Sequence, residues 1–207
     1  MLKKITSTII FILLIKICYR ISNSIYQYIF MTELNLKERY GENKWVMITG
    51  SSSGIGKNLA LGFARRNFNI CLIGSKRTKL TISQIKKINK KVKIEWIEAD
   101  LSNMKSYSKI ENWAKKYGKD WAILVNNVGY RTGSPKYENY SIENMKKSIN
   151  VGSLPQSILT QYMIKYSIKN SDPFIAKGII NITSLCQTHT DLFNFNPILS
   201  LPYLSVY

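Results

Sequence analysis

Short apolar runs rich in β-branched and aromatic residues recur along the chain at 45–49 (WVMIT), 69–73 (NICLI), 93–98 (KIEWIE), 121–127 (WAILVNN) and 178–184 (GIINITS), and each predicts a strand. The stretches between them, 55–66, 79–90, 104–117 and 141–168, predict helices. In the last, Ile142, Met145 and Ile149 recur at helical spacing on one face, and Pro155 predicts a kink just after Asn150. Strands that are continuous apolar runs are buried on both faces, and strands that alternate with helices pair in parallel. Right-handed crossovers then lay helices on both faces, so the chain predicts an α/β, doubly wound parallel sheet. No internal repeat and no low-complexity linker interrupts the alternation.

Ahead of the first strand the pattern changes. The run from Ile9 to Ile15 has no polar residue; Lys16 interrupts it, and Ile17, Cys18 and Tyr19 continue it. The uninterrupted part is short for a membrane span, but Ile5 to Tyr19 with a snorkelling Lys16 can enter a bilayer. Residues 1–30 therefore predict an N-terminal hydrophobic anchor helix, spanning or re-entrant, with a cleaved signal peptide as the rival; no small-x-small cleavage pattern follows the run. Residues 31–44 predict a polar linker and 45–207 the sheet domain. Lys16, Arg20, Lys37 and Arg39 favour a body on the cytosolic side.

Length allows one domain with a sizeable core. Lys and Arg outnumber Asp and Glu by 30 to 12, a formal charge of +18. Such an excess fits a nucleic acid, an anionic membrane or lysines spread over solvated faces. The one dense basic run, KKINKKVK (Lys86 to Lys93), lacks the interleaved aromatics of a base-stacking surface, so no nucleic-acid partner is expected. The three cysteines, Cys18, Cys71 and Cys186, are far apart, and His189 is the single histidine. No metal site is predicted, and a reducing compartment is.

WVMITGSSSGIGKNLALGFARR holds the first chemistry. After Thr49, Gly50, Gly54 and Gly56 follow as T-G-x-x-x-G-x-G between a strand and a helix. Glycines let the backbone turn tightly and approach a pyrophosphate, and a helix N-terminus offers free N–H groups and a positive dipole end. An ordinary Gly/Ser-rich turn is the alternative; the strand–loop–helix context favours a dinucleotide site of Gly50, Ser52, Ser53, Gly54, Ile55 and Gly56. The next strand ends in Ser75, Lys76 and Arg77, a hydroxyl and two cations where an acidic residue would hold the ribose hydroxyls of NAD. NADP(H) is thereby favoured over NAD(H), although Lys76 and Arg77 also fit the start of a solvated helix.

Further motifs resemble the short-chain dehydrogenase/reductase family, in the family's order, from Trp45 onward. LVNNVG resembles its N-N-A-G signature, with Val128 in place of alanine between Asn127 and Gly129. EADLS places Asp100 and Leu101 where that family contacts adenine. SINVGS puts Asn150 at the position of its catalytic asparagine, and GIINITS aligns Ser184 with its catalytic serine. The resemblance implies a Rossmann-type fold. Within the family, the apolar start, WVMITGSSSGIGK and LVNNVG look like the microsomal branch of very-long-chain 3-oxoacyl-CoA reductases and 17-beta-hydroxysteroid dehydrogenases. That implies NADPH-dependent reduction of a 3-oxoacyl-CoA or a steroid ketone, at the endoplasmic reticulum membrane with the catalytic domain facing the cytosol. A homodimer is compatible with the full-length protein.

In that family the serine is followed by Y-x-x-x-K. LPYLSVY resembles the approach to it, with Tyr207 as the tyrosine; Tyr203 fails the pattern, since Tyr207 stands four residues later. The sequence stops before the lysine and supplies five of the expected strands, so it reads as the first two-thirds of an enzyme, a fragment or a truncated gene product. The spacing from Ser184 to Tyr207 is longer than the family's, the excess lying in CQTHTDLFNFNPILSL. A second reading stays open: a membrane-tethered, non-catalytic dinucleotide-binding or scaffold protein.

Overall fold

Five strands pair in parallel in a computed structural model that describes residues 2–29, 35–129, 141–170 and 175–182. They are β1 (Trp45–Thr49), β2 (Asn69–Gly74), β3 (Ile94–Glu98), β4 (Trp121–Asn126) and β5 (Gly178–Asn181), in the order β3-β2-β1-β4-β5. The order reverses at β1, whose neighbours are β2 on one side and β4 on the other. This is the doubly wound arrangement, and it opens a crevice at the carboxyl ends of the strands where the order reverses. The chain divides into two compact units, Met1–Asn35 and the remainder from Leu36.

The first unit is a helix, α1 (Leu2–Ile29). Its large apolar side chains from Ile10 to Ile15 are each about half exposed. Lys16 and Arg20 fall within the run, and no described helix is long and apolar enough to cross a membrane. The spanning form of the predicted anchor is therefore not supported.

In the second unit, α2 (Leu36–Tyr40) occupies part of the predicted polar linker; its Leu36 and Tyr40 pack against the core. The sheet is covered on both faces because alternate residues of β1 point to opposite sides. Val46 and Ile48 meet α3 (Gly54–Arg65) and α4 (Thr78–Ile88) through Ala60, Phe63, Ala64 and Ile85. Trp45 and Met47 meet α5 (Tyr107–Tyr117) and α7 (Leu154–Tyr166) through Ile110, Trp113, Leu159 and Met163. An edge-to-face chain of Trp45, Trp113 and Trp121, with ring centroids 5.6 Å apart at each step, fills the second layer. Register between β1 and β4 shifts at Trp45/Val46, leaving Ala122 and Ile123 on the same face.

The predicted helix at 141–168 is two: α6 (Ile142–Gly152) and α7, with the break at Ser153. Pro155 lies in the first turn of α7, where its missing N–H is not needed. Asn150 stays helical, in the last turn of α6. β5 covers Gly178–Asn181 of the predicted 178–184, the Ile182 N–H donates to Asn126 O at 2.9 Å, and residues 183 and 184 lie outside the described residues.

Candidate functional site

Loops from four adjacent strands converge at the carboxyl end of the sheet on an open cleft of about 670 Å³. Its wall is formed by Gly50, Ser52 and Ser53 after β1, by Gly74 and Ser75 at the end of β2, by Glu98 to Leu101 after β3, and by Asn127, Val128 and Gly129 after β4. Val151 of α6 completes it.

The glycine loop is held by neighbours rather than by itself. Gly50 and Gly54 have positive φ (63° and 56°), in the left-handed region open to glycine. A Cβ on Gly54 would meet nothing within 4 Å, so the loop leaves free space at the amino end of α3. No acidic residue lies in that first turn, and the Ser53 side chain does not cap the helix. The arrangement fits an anionic group: unobstructed backbone, open N-terminal amides and no competing carboxylate in the turn.

Two polar clasps fix the loop. Thr49, fully buried, accepts at Oγ1 from the N–H groups of Asn127 and Val128, both at 2.9 Å, and donates to Val125 O at 3.3 Å. Asn127 Nδ2 returns bonds to Thr49 O (3.0 Å) and Gly50 O (3.2 Å). On the other side Ser51, also buried, donates from Oγ to Ile73 O at 3.3 Å, and its carbonyl accepts from Thr81 Oγ1 at 2.9 Å. The loops after β1, β2 and β4 therefore form one hydrogen-bonded frame.

Asp100 lies at the mouth. Its Oδ1 accepts from Ser102 Oγ (2.7 Å) and Ser102 N–H (2.9 Å). These bonds, helped by the charge of Lys147, hold its pKa below the usual carboxylate value. Leu101 is buried and its carbonyl accepts from the Tyr107 hydroxyl at 2.9 Å. Burial, then the proximity of Tyr162 and Asp100, raises the Tyr107 pKa, so that hydroxyl stays protonated and holds the Asp100–Leu101 turn.

The residues singled out in the sequence are placed as follows. Gly50, Ser52, Ser53, Ser75, Asp100, Leu101, Asn127, Val128 and Gly129 line the cleft. Gly54 and Gly56 belong to the same loop and helix start, whereas Ile55 is 57% exposed on α3. Lys76 and Arg77 follow Ser75 in the turn before α4; both are exposed and neither forms the cleft wall. Asn150 is half-buried beside Val151. Ser184 and Tyr207 lie outside the described residues.

Several contributors escaped the sequence reading. Thr49, Ser51 and Thr81 clasp the loop, and Glu98 brings an acid to the cleft wall. Asn126 Nδ2 donates to Asn181 Oδ1 at 2.9 Å across the β4–β5 pair, tying the start of the predicted serine segment to the frame. A polar residue closing an apolar run was the available signal at Thr49, Asn126 and Asn181.

Among curated proteins, the chain is 33% identical to the human very-long-chain 3-oxoacyl-CoA reductase over 149 residues, 70% of this chain and 46% of that protein. It is 32% identical to hydroxysteroid dehydrogenase-like protein 1 of Gallus gallus over 161 residues, 75% of this chain and 46% of that protein. The chain thus spans about half the length of the curated relatives it matches. A short-chain dehydrogenase from Sphingobium yanoikuyae, solved in complex with NADPH, superposes with a TM-score of 0.68 at 22% identity, covering 79% of this chain and 61% of the other. At that identity the likeness concerns the fold. The profile of the short chain dehydrogenase family matches residues 44–191, which takes in every strand and the whole glycine loop, and the chain belongs to that family.

Proposed function

We propose that this chain carries the NADP(H)-binding part of a reductase that turns a ketone into a secondary alcohol. Its substrate is a 3-oxoacyl-CoA, reduced to the 3-hydroxyacyl-CoA in fatty-acid elongation, with a steroid ketone as the second choice. The observation that carries the reading is the cleft itself, where the open glycine loop, Ser75, Asp100 and Asn127 share one wall at the reversal of strand order.

Gly50, Ser52, Ser53 and Gly54 with the amino end of α3 would hold the pyrophosphate, and Asp100 and Leu101 the adenine. Ser75, with Lys76 and Arg77 next to it, would take the 2′-phosphate; the Glu98 carboxylate on the same wall opposes that preference, and the two cations outnumber it. When bound, the reduced nicotinamide supplies the hydride that reaches the carbonyl carbon. Tyr207 then gives its hydroxyl proton to the carbonyl oxygen as that oxygen gains charge. Ser184 hydrogen-bonds the same oxygen, and Asn150 holds a water that returns a proton toward the tyrosine.

Location belongs to the same proposal. α1 presents exposed apolar side chains from Ile10 to Ile29, and Lys16, Arg20, Lys37 and Arg39 flank or interrupt them. It attaches the body to the cytosolic face of the endoplasmic reticulum by entering the interface without crossing.

The test is binding followed by turnover. NADPH and NADH are titrated against the chain by nicotinamide fluorescence, and NADPH oxidation is then followed with a 3-oxoacyl-CoA. Tighter binding of NADPH with ketone-dependent oxidation supports the reading. Binding without oxidation under any ketone by the full-length protein that carries this chain supports the non-catalytic alternative, and absence of dinucleotide binding refutes both.

A further inference from the structure

At the amino end of the sheet, opposite the cleft, a polar pocket of about 230 Å³ is lined by Lys37, Arg66 and Lys91, with Glu42 the one acid on its wall. Asn69 fixes its floor: Nδ2 donates to Asn43 O at 2.6 Å and Oδ1 accepts from the Lys93 N–H at 2.9 Å. Asn43 and Asn67, also on the wall, hold left-handed backbone (φ 57° and 64°), and Asn67 Oδ1 accepts from Asn89 Nδ2 at 2.7 Å. Val92 joins this pocket to a second depression flanked by Lys86 and Lys90. The dense basic run of the sequence therefore forms one side of the pocket.

Local helix electrostatics explain only part of that charge. Arg65, Arg66, Lys86 and Lys87 lie at the carboxyl ends of α3 and α4, where cations complement the helix dipole. Lys90, Lys91 and Lys93 lie outside both helices and have no such role, while Lys37, in α2, pairs at the surface with Glu42 at 3.7 Å. Chain connectivity points to what they meet. Six residues separate the end of α1 at Ile29 from Leu36, and six residues reach at most about 20 Å. If α1 enters a bilayer, Lys37 is tethered near its surface.

We propose that this basic face docks on an anionic lipid surface, with a phosphate-bearing headgroup seated among Lys37, Arg66 and Lys91. The proposal rests on the reading that α1 enters the membrane. β2 and β3 run from this pocket to the cleft, roughly 17–20 Å away, so a docked body turns its cofactor cleft toward the aqueous side. That distance exceeds the Debye length of about 8 Å at physiological salt. The charges at the cleft are therefore screened from the lipid, and those at the pocket are not.

The test uses the full chain and two vesicle types, phosphatidylcholine alone and phosphatidylcholine doped with phosphatidylserine. Binding to the neutral vesicles reports α1, and the anionic increment reports the basic face. Each basic residue near an anionic leaflet is worth roughly fivefold in partition. Lys90→Glu/Lys91→Glu is thus expected to lower the increment at least about twentyfold and to leave neutral-vesicle binding unchanged. Lys37→Gln/Arg66→Gln lowers it by a comparable factor without introducing acids. Lys105→Glu/Lys109→Glu, the same charge change just before and within the first turn of α5, leaves it nearly intact. Equal losses in both double reversals, or no anionic increment in the unaltered chain, overturn the proposal. So does binding of duplex RNA through Lys90 and Lys91 when no lipid increment exists. Loss of neutral-vesicle binding alone refutes the anchor and not the basic face.

Discussion

Replacing Gly56 by alanine tests the glycine loop most directly. A Cβ there would overlap Asn127 Nδ2 and stand 2.6 Å from Gly50 O. The carboxamide can rotate away, but the Gly50 carbonyl moves only if the loop moves. Rotation forfeits the Asn127 bonds to Thr49 O and Gly50 O, about 2 kcal/mol at roughly 1 kcal/mol per bond. Crowding against fixed backbone adds roughly 1–3 kcal/mol, and the better helix propensity of alanine returns about 1 kcal/mol. The balance is a loss of about 2–4 kcal/mol, which in a body of this size lowers Tm by roughly 5–15 °C. Gly62→Ala is the internal control in the same helix, because its Cβ would meet only Arg66 Nη1 at 4.0 Å. It is expected to be neutral or to stabilise by up to about 1 kcal/mol. Both are read by thermal and urea denaturation followed by circular dichroism. In the double variant with Asn127→Ala the Gly56→Ala penalty shrinks, since the overlapping amide is gone. A Gly56→Ala chain as stable as the parent would refute the packing argument.

Thr49→Val removes the acceptor of two backbone N–H groups in a fully buried position and is expected to cost about 2–4 kcal/mol in urea denaturation, whereas Thr49→Ser retains most of the stability. Asp100 has a folded pKa below its ordinary 3.8. Its bonds to Ser102 thus stabilise the fold above that value and are lost as pH falls through the lowered pKa. Ser102→Ala moves the pKa back toward 3.8 in a carboxyl NMR titration, and an unchanged pKa would contradict the assignment of cause. Cys71 is fully buried, and burial followed by Glu95 pushes its thiol well up, so maleimide labelling read by mass spectrometry modifies exposed Cys18 and spares Cys71 until the chain unfolds.

The centre of the sheet was legible because β1, β2 and β4 are mostly apolar and buried on both faces, and the two core layers follow from alternate residues, whereas the edge strands β3, with Glu95 and Glu98, and β5 are only partly buried. Where a local rule competes, the sequence misleads. Ile142, Met145 and Ile149 share α6, and the kink read from Pro155 is a full break at Ser153 that starts a second helix, since proline is at ease only in a first turn. The shifted register at Trp45/Val46 was illegible, because it depends on a partner strand 76 residues away, as the 76-residue separation of Thr49 from Val125 illustrates. The glycine loop was readable from its spacing together with its place between a strand and a helix. The clasp that makes it rigid was not, because Thr49 and Asn127 are ordinary residues until the fold brings them together.

That clasp bears on how the cleft divides its work. On the proposed reading, the groups that would face a pyrophosphate are backbone amides and small side chains, and such groups recognise charge and shape without distinguishing one dinucleotide from another. On the proposed reading, discrimination comes from the second strand end, where Ser75 and Glu98 line the cleft and Lys76 and Arg77 follow in the next turn. Rigidity of the loop sets how tightly any dinucleotide is held, and the balance of charge at that strand end sets which one. A change at Thr49 or Gly56 therefore weakens NADPH and NADH alike, whereas a change at Lys76, Arg77 or Glu98 alters their ratio. The two effects have separate physical origins: the loop's rigidity comes from hydrogen bonds that only the fold assembles, and the charge balance from Lys76 and Arg77 in one short stretch together with Glu98, which the fold brings to the same wall.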